Sequence, residues 1–185
     1  MRDSTPTLVF IFREWRFLLF GALVMFWTSP GQTYLISLFA DKISSDFGLS
    51  HGECGSLYTA ATLTSAAILW PTGRLVDKLP LAKFVWWVCA TMALGAAAFS
   101  LVSGPVTLFF GILVVRFLGQ GMMSHIAVTA MARRYVAERG RAIAIVGFGF
   151  PIAEGILPPL ITIGLTITHW QNIWIVLGAC VAVTL

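Results

Sequence analysis

Two charged residues stand by themselves in long apolar surroundings, Arg116 and Glu154. A charge in the bilayer interior is costly, so such a residue marks a solute path, a proton relay or an ion pair. Arg116 lies about 11 residues from one end of its apolar run and Glu154 about 12 from the end of the next. At ~1.5 Å per residue both sit about 16–18 Å deep, near the middle of a ~30 Å hydrocarbon core. Two chemistries follow. The pair can join two consecutive antiparallel helices and do no more. Alternatively, one or both face a water-filled cavity, with Arg116 attracting an anionic group and Glu154 exchanging a proton. A guanidinium suits bidentate carboxylate recognition, so a carboxylate-bearing solute is suggested by Arg116 alone. A pair that breaks and reforms would satisfy both readings.

Other polar residues share faces with these two. At about 100° per residue, Arg116, Gly119, Gln120, Met123 and Ser124 fall on one side of their helix, and Ser29, Gln32, Thr33 and Ser37 on one side of the first. Pro30 and Gly31 interrupt the backbone there. Serine and threonine in such faces read as glue between helices, whereas Gln32 and Gln120 read equally as glue or as cavity lining. Around Glu154, Gly147, Pro151 and Pro158 fall on its side, with Gly155 adjacent; this is either close packing with a bend or a hinge at a moving interface. His125 reads as a hydrogen-bonding group near a helix end. An intramembrane enzyme with Glu154 and His125 as acid and base is the competing chemistry, but the two differ in depth and no nucleophile accompanies them. No enzyme activity, cofactor or metal is expected: Cys54, Cys89 and Cys180 are far apart and lack a histidine at ligand spacing.

The elements that must hold these residues follow from composition. Of 185 residues 58% are apolar or aromatic and 11% charged, with mean hydropathy +0.87. A soluble domain carries about 25% charged residues, so too few remain to cover a water-facing surface. Disorder is excluded by the same numbers. An all-α integral membrane protein remains, its lipid partner the bilayer itself. Six apolar runs are expected to cross it, over 17–40, 54–76, 84–103, 105–131, 142–165 and 172–185. The last is about two-thirds of a crossing, and the sequence is expected to break off within a sixth helix.

Lysine and arginine set the orientation. Ten of the twelve, Arg2, Arg13, Arg16, Arg74, Lys78, Lys83, Arg133, Arg134, Arg139 and Arg141, lie in the N-terminal tail or in the segments 74–83 and 133–141; Lys42 lies in the alternate segments and Arg116 within a run. The N-terminus is expected in the cytoplasm, and the bacterial inner (plasma) membrane is the expected location. These cations do not form the continuous basic face that nucleic acid would require.

The segment after the second run contains Gly73, Leu75, Asp77 and Lys78 at the spacing of a known signature, with Pro80, Leu81 and Ala82 departing from it and Lys83 restoring one positive charge. It resembles the loop 2–3 motif of the major facilitator superfamily. Arg116, Gly119, Gln120 and Gly121 resemble that family's helix 4 motif. Arg133, Arg134, Arg139 and Arg141 resemble its basic loop 4–5, and the Gly/Pro-rich stretch around Glu154 is similar to the helix 5 motif of the antiporter branch.

The resemblance covers nearly the whole chain. It implies the N-terminal six-helix half of a 6+6 transporter, whose C-terminal half is missing here, with solute bound between the halves and alternating access by rocking. It makes Gln32, Arg116 and Gln120 cavity residues, and Gly73, Asp77 and Lys78 bracing residues at the gate. The expected function is secondary active transport of a small organic solute, with protons as a coupling partner through Glu154. A half-size membrane protein that assembles with partners without transporting is the alternative.

Overall fold

A computed structural model of the chain describes residues 6–74, 76 and 80–185. Among these residues the regular structure is helical throughout. It forms six rods. Rod 1 contains α1 (Thr7–Phe26), a 3₁₀ turn (Ser29–Gly31), α2 (Thr33–Ser37) and α3 (Ala40–Phe47). Rod 2 is α4 (His51–Thr72) and rod 3 is α5 (Leu81–Phe99). Rod 4 joins α6 (Pro105–Val115), a π-helical segment (Arg116–Met123) and α7 (Ser124–Arg134). Rod 5 joins α8 (Arg139–Gly147) and α9 (Gly149–Ile167), and rod 6 is α10 (Trp170–Thr184).

Rod 1 breaks where its sequence requires it to. Pro30 has no N–H to donate and its ring crowds the preceding turn. The Thr28 and Ser29 hydroxyls fold back onto the Met25 and Phe26 carbonyls at 2.7 and 2.5 Å, occupying acceptors that the break frees. Gln32 is extended (φ −89°, ψ 149°), and the helix restarts at Thr33. At the far end α3 stops at Gly48, whose φ of +63° suits a residue without Cβ. Ser50 and Glu53 then form a reciprocal capping box that starts α4.

Inside a bilayer, helices gain little from hiding apolar surface, so close approach and dispersion hold them together. Small residues make that approach possible. Rod 6 lies on rod 3 at Gly178, where an added Cβ would stand 2.6 Å from the Ala93 carbonyl oxygen and 2.8 Å from the Ala97 nitrogen. Phe99 and Trp174 stack beside this crossing at 4.1 Å. Rod 5 meets rod 1 with Gly149 against the Ala22 carbonyl. Each end of the bundle has a polar tie. At one end Glu14 accepts hydrogen bonds from Tyr135 (3.0 Å), Arg134 (3.2 Å) and Arg13 (3.2 Å). At the other the Trp170 indole donates to Asp46 at 2.7 Å. The first is the basic end of the bundle and the second the acidic end.

Among the described residues three helical runs are long and apolar enough to cross a membrane: Leu81–Phe99, Pro105–Arg134 and Arg139–Ile167. Large apolar residues such as Leu63, Trp70, Leu94, Leu101 and Ile163 are exposed, a surface suited to lipid. Most boundaries fall within a few residues of the hydropathy reading, and two in rod 1 differ more. Rod 1 is helical from Thr7, ten residues before position 17, because Phe10 is buried against Tyr135 (5.1 Å between rings) and Glu14 is paired. The polar stretch after residue 40 contains α3, held by buried Ile43 and by Asp46.

Candidate functional site

Arg116 is buried, only 7% exposed, where rod 4 crosses rod 1. Its Nη1 donates to the Thr33 hydroxyl at 3.0 Å and to the Gly31 carbonyl at 3.3 Å. Its guanidinium carbon lies 5.0 Å from the centre of the Tyr58 ring on rod 2, a cation–π contact. The Tyr58 and Thr33 hydroxyls are 2.6 Å apart. The break in rod 1 creates this environment, since the extended Gln32 takes the Gly31 carbonyl out of helical pairing and leaves it as an acceptor.

Both backbones must come very close for this to happen. An added Cβ on Gly31 would run into the Val115 carbonyl and approach the Gln120 nitrogen to 2.7 Å, and one on Gly119 would stand 2.8 Å from the Thr28 oxygen. Val115 and Gln120 are five residues apart, the spacing of a π turn, and the π-helical segment begins at Arg116. A broken helix and a widened helix thus meet at two glycines. Among the described residues no carboxylate lies within ion-pair distance of Arg116.

A cavity of about 340 Å³ opens beside Arg116, lined also by Thr62, Ser65, Leu69 and Gln120. Thr62 Oγ1 is buried there without a hydrogen-bond partner. Toward the basic end, Leu69, Gln120 and Gly121 also border a cavity of about 530 Å³, which adds Arg74, Ser124 and His125. The seam between rods 2 and 4 is therefore an open track lined by Arg116, Gln120, Arg74 and His125 and, among the described residues, by no acid. Gln120 is exposed into it, whereas Gln32 is half-buried and its amide bonds Thr28 at 3.4 Å within rod 1.

The family model of the Major Facilitator Superfamily matches residues 12–185. The chain belongs to the Major Facilitator Superfamily. No curated protein matches it. As a facilitator it is a membrane protein of a transporter family, and that family is not one of enzymes. Within this facilitator Arg116 and Glu154 are not brought together. Arg116 turns to rods 1 and 2, while Glu154 is exposed on α9 of rod 5, one turn from Phe150, whose ring meets Tyr34 at 5.9 Å. His125 faces the end of rod 2 and is likewise apart from Glu154.

The remaining sequence-predicted residues fall at the basic end or on rod 5. Gly73 follows α4, its N–H bonded to Leu69 at 2.7 Å. Asp77 and Lys78, like Arg2, lie outside the described residues. Next to them the Arg133 guanidinium donates to the Val76 carbonyl at 2.9 Å, joining the end of rod 4 to the segment after rod 2. Gly147 ends α8, and Pro151 and Pro158 lie within α9. An added Cβ on Gly147 or Gly155 meets nothing within 4 Å, so neither glycine is a packing contact inside this bundle.

Tyr58 and the Gly31 carbonyl are the site's contributors that the sequence reading omitted. Tyr58 carried a legible signal: Cys54, Tyr58, Thr62 and Ser65 recur at helical spacing along the second run. A backbone carbonyl carries none.

Proposed function

We propose that this facilitator is the N-terminal half of a secondary carrier that moves a small organic anion by alternating access. Arg116 carries the reading: a buried guanidinium held by neutral acceptors, with no acid beside it among the described residues, bordering a cavity that Thr62, Ser65 and Gln120 also line near mid-membrane depth. A carbonyl and a hydroxyl position the group and leave its charge uncompensated, so a carboxylate arriving in the cavity gains a charge-assisted hydrogen bond that water and neutral solutes do not. Gln120 adds an amide one turn away.

The second half covers a face of rod 2 and the face of rod 5 on which Glu154, Pro151 and Gly155 are exposed. Gly73, Asp77 and Lys78 brace the gate there, and rod 5 bends near Gly147. Glu154, on this moving face, exchanges the coupling proton. The basic end faces the cytoplasm, supported by the ten lysines and arginines gathered in its segments.

The experiment is uptake by the intact carrier in proteoliposomes under an imposed pH gradient. Accumulation of a carboxylate that collapses with an uncoupler is expected, abolished by Arg116→Gln and made insensitive to the gradient by Glu154→Gln. Uptake indifferent to the gradient, or undiminished in both variants, would contradict the proposal.

A further inference from the structure

Rods 1, 2 and 4 border another cavity, open on one side, on the acidic side of Arg116, of about 250 Å³. Its walls are mostly apolar, with Ile36, Ile43, Leu108 and Ile112 prominent, and its floor is Thr33 and Tyr58. These two floor residues do not border the 340 Å³ cavity, and Arg116 does not border this one. The pair of hydroxyls 2.6 Å apart, with the phenol ring 5.0 Å from the guanidinium, therefore stands between the two spaces, with Thr33 exposed and Tyr58 half-buried.

We infer that Tyr58 is a movable bolt between the two cavities, and that the solute admitted is a small monocarboxylate whose apolar body occupies the 250 Å³ cavity. Thr33 is fixed, since Arg116 holds it to rod 4 at 3.0 Å. Tyr58 is held by one hydroxyl contact and one cation–π contact, each altering an opening equilibrium by only roughly two- to thirtyfold. It sits on an unbroken helix with open space beside it, so rotation of the side chain alone joins the cavities. Opening exposes the Arg116 guanidinium at the end of an apolar chamber. A mostly apolar pocket with one strong, directional polar group selects an amphipathic ligand carrying the complementary charge.

The solute class rests on Arg116 being the anion site; the bolt does not, and one experiment separates them. In the intact carrier, with Cys54→Ser, Cys89→Ala and Cys180→Ser, Ser65→Cys places a thiol in the 340 Å³ cavity. A membrane-impermeant methanethiosulfonate is applied from the acidic end. Labelling is expected to quicken by roughly two- to tenfold in Tyr58→Phe and in Thr33→Val, the effect of one hydrogen bond. Tyr58→Ala is expected to quicken it further. Tyr58→Phe keeps the ring and its packing, so the test survives if Tyr58→Ala does not fold. Equal labelling rates in the parent, Tyr58→Phe and Thr33→Val would overturn the bolt. Benzoate is expected to slow labelling in Tyr58→Phe, and benzamide is not; protection by neither would overturn the solute class while the rate differences still upheld the bolt.

Discussion

Two helix crossings in this bundle use the same packing device and do different things with it. Rod 6 meets rod 3 at Gly178, between helices that run unbroken through the contact, and its neighbours are Ala93, Ala97 and the stacked Phe99 and Trp174. Rod 4 meets rod 1 at Gly31 and Gly119, as closely, but both helices depart from α geometry there. The unbroken crossing keeps both helices in α geometry and frees no backbone carbonyl by a break. The broken crossing frees a carbonyl, places a hydroxyl beside it and draws in Arg116. A membrane protein thus obtains a polar centre by giving up helical regularity locally, where another helix covers the exposed backbone.

This contrast separates stability from transport. The largest loss of stability is expected at the unbroken crossing: Phe99→Ala removes a ring that is 1% exposed and stacked on Trp174, at about 3 kcal/mol. Thermal unfolding in detergent measures it, and uptake per folded carrier should be unchanged. Next comes Gly31→Ala, whose methyl meets backbone that cannot rotate away; a cost of about 1–3 kcal/mol is expected, with loss of uptake in the molecules that remain folded. Gly178→Ala should cost a similar amount and spare uptake. Thr33→Val follows, removing the hydroxyl that meets Arg116 and Tyr58, at about 1 kcal/mol. Its main effect should be a weaker apparent affinity for solute, read from concentration-dependent uptake.

The smallest effect belongs to the basic end. The Tyr135 hydroxyl, and after it Arg134, hold the Glu14 carboxyl below its usual range. A depressed pKa means that the pairing stabilises the folded protein above the ordinary glutamate range and is lost as pH falls through the lowered value. Acid should therefore lower the unfolding temperature slightly, and Glu14→Gln should flatten that part of the profile, measured on the intact carrier from about pH 5 downward.

Much of the site was legible because its signals are chemical. A lone arginine at mid-membrane depth, a Pro–Gly interruption in the first run and a Gly-rich stretch after Arg116 all stand in the sequence. What they do together was not legible. Nothing in the composition of Arg116–Met123 announces a π turn, and its wide turns lie where the rod 1 backbone presses against Val115 and Gln120. Equal depth made Arg116 and Glu154 natural partners, but depth says nothing of the direction in which a side chain points around its helix. The early start of rod 1 depends on Tyr135, 121 positions from Glu14, which no local pattern could announce.

The central claim is that Arg116 presents an uncompensated charge to a solute. Its most direct measurement is equilibrium binding to the purified, intact carrier of a carboxylate and its isosteric amide, each tested against the parent and against Arg116→Gln. The carboxylate is expected to bind better than the amide in the parent, and the variant to erase the difference. Equal binding of the two by the parent, or a carboxylate preference that survives in Arg116→Gln, would contradict it.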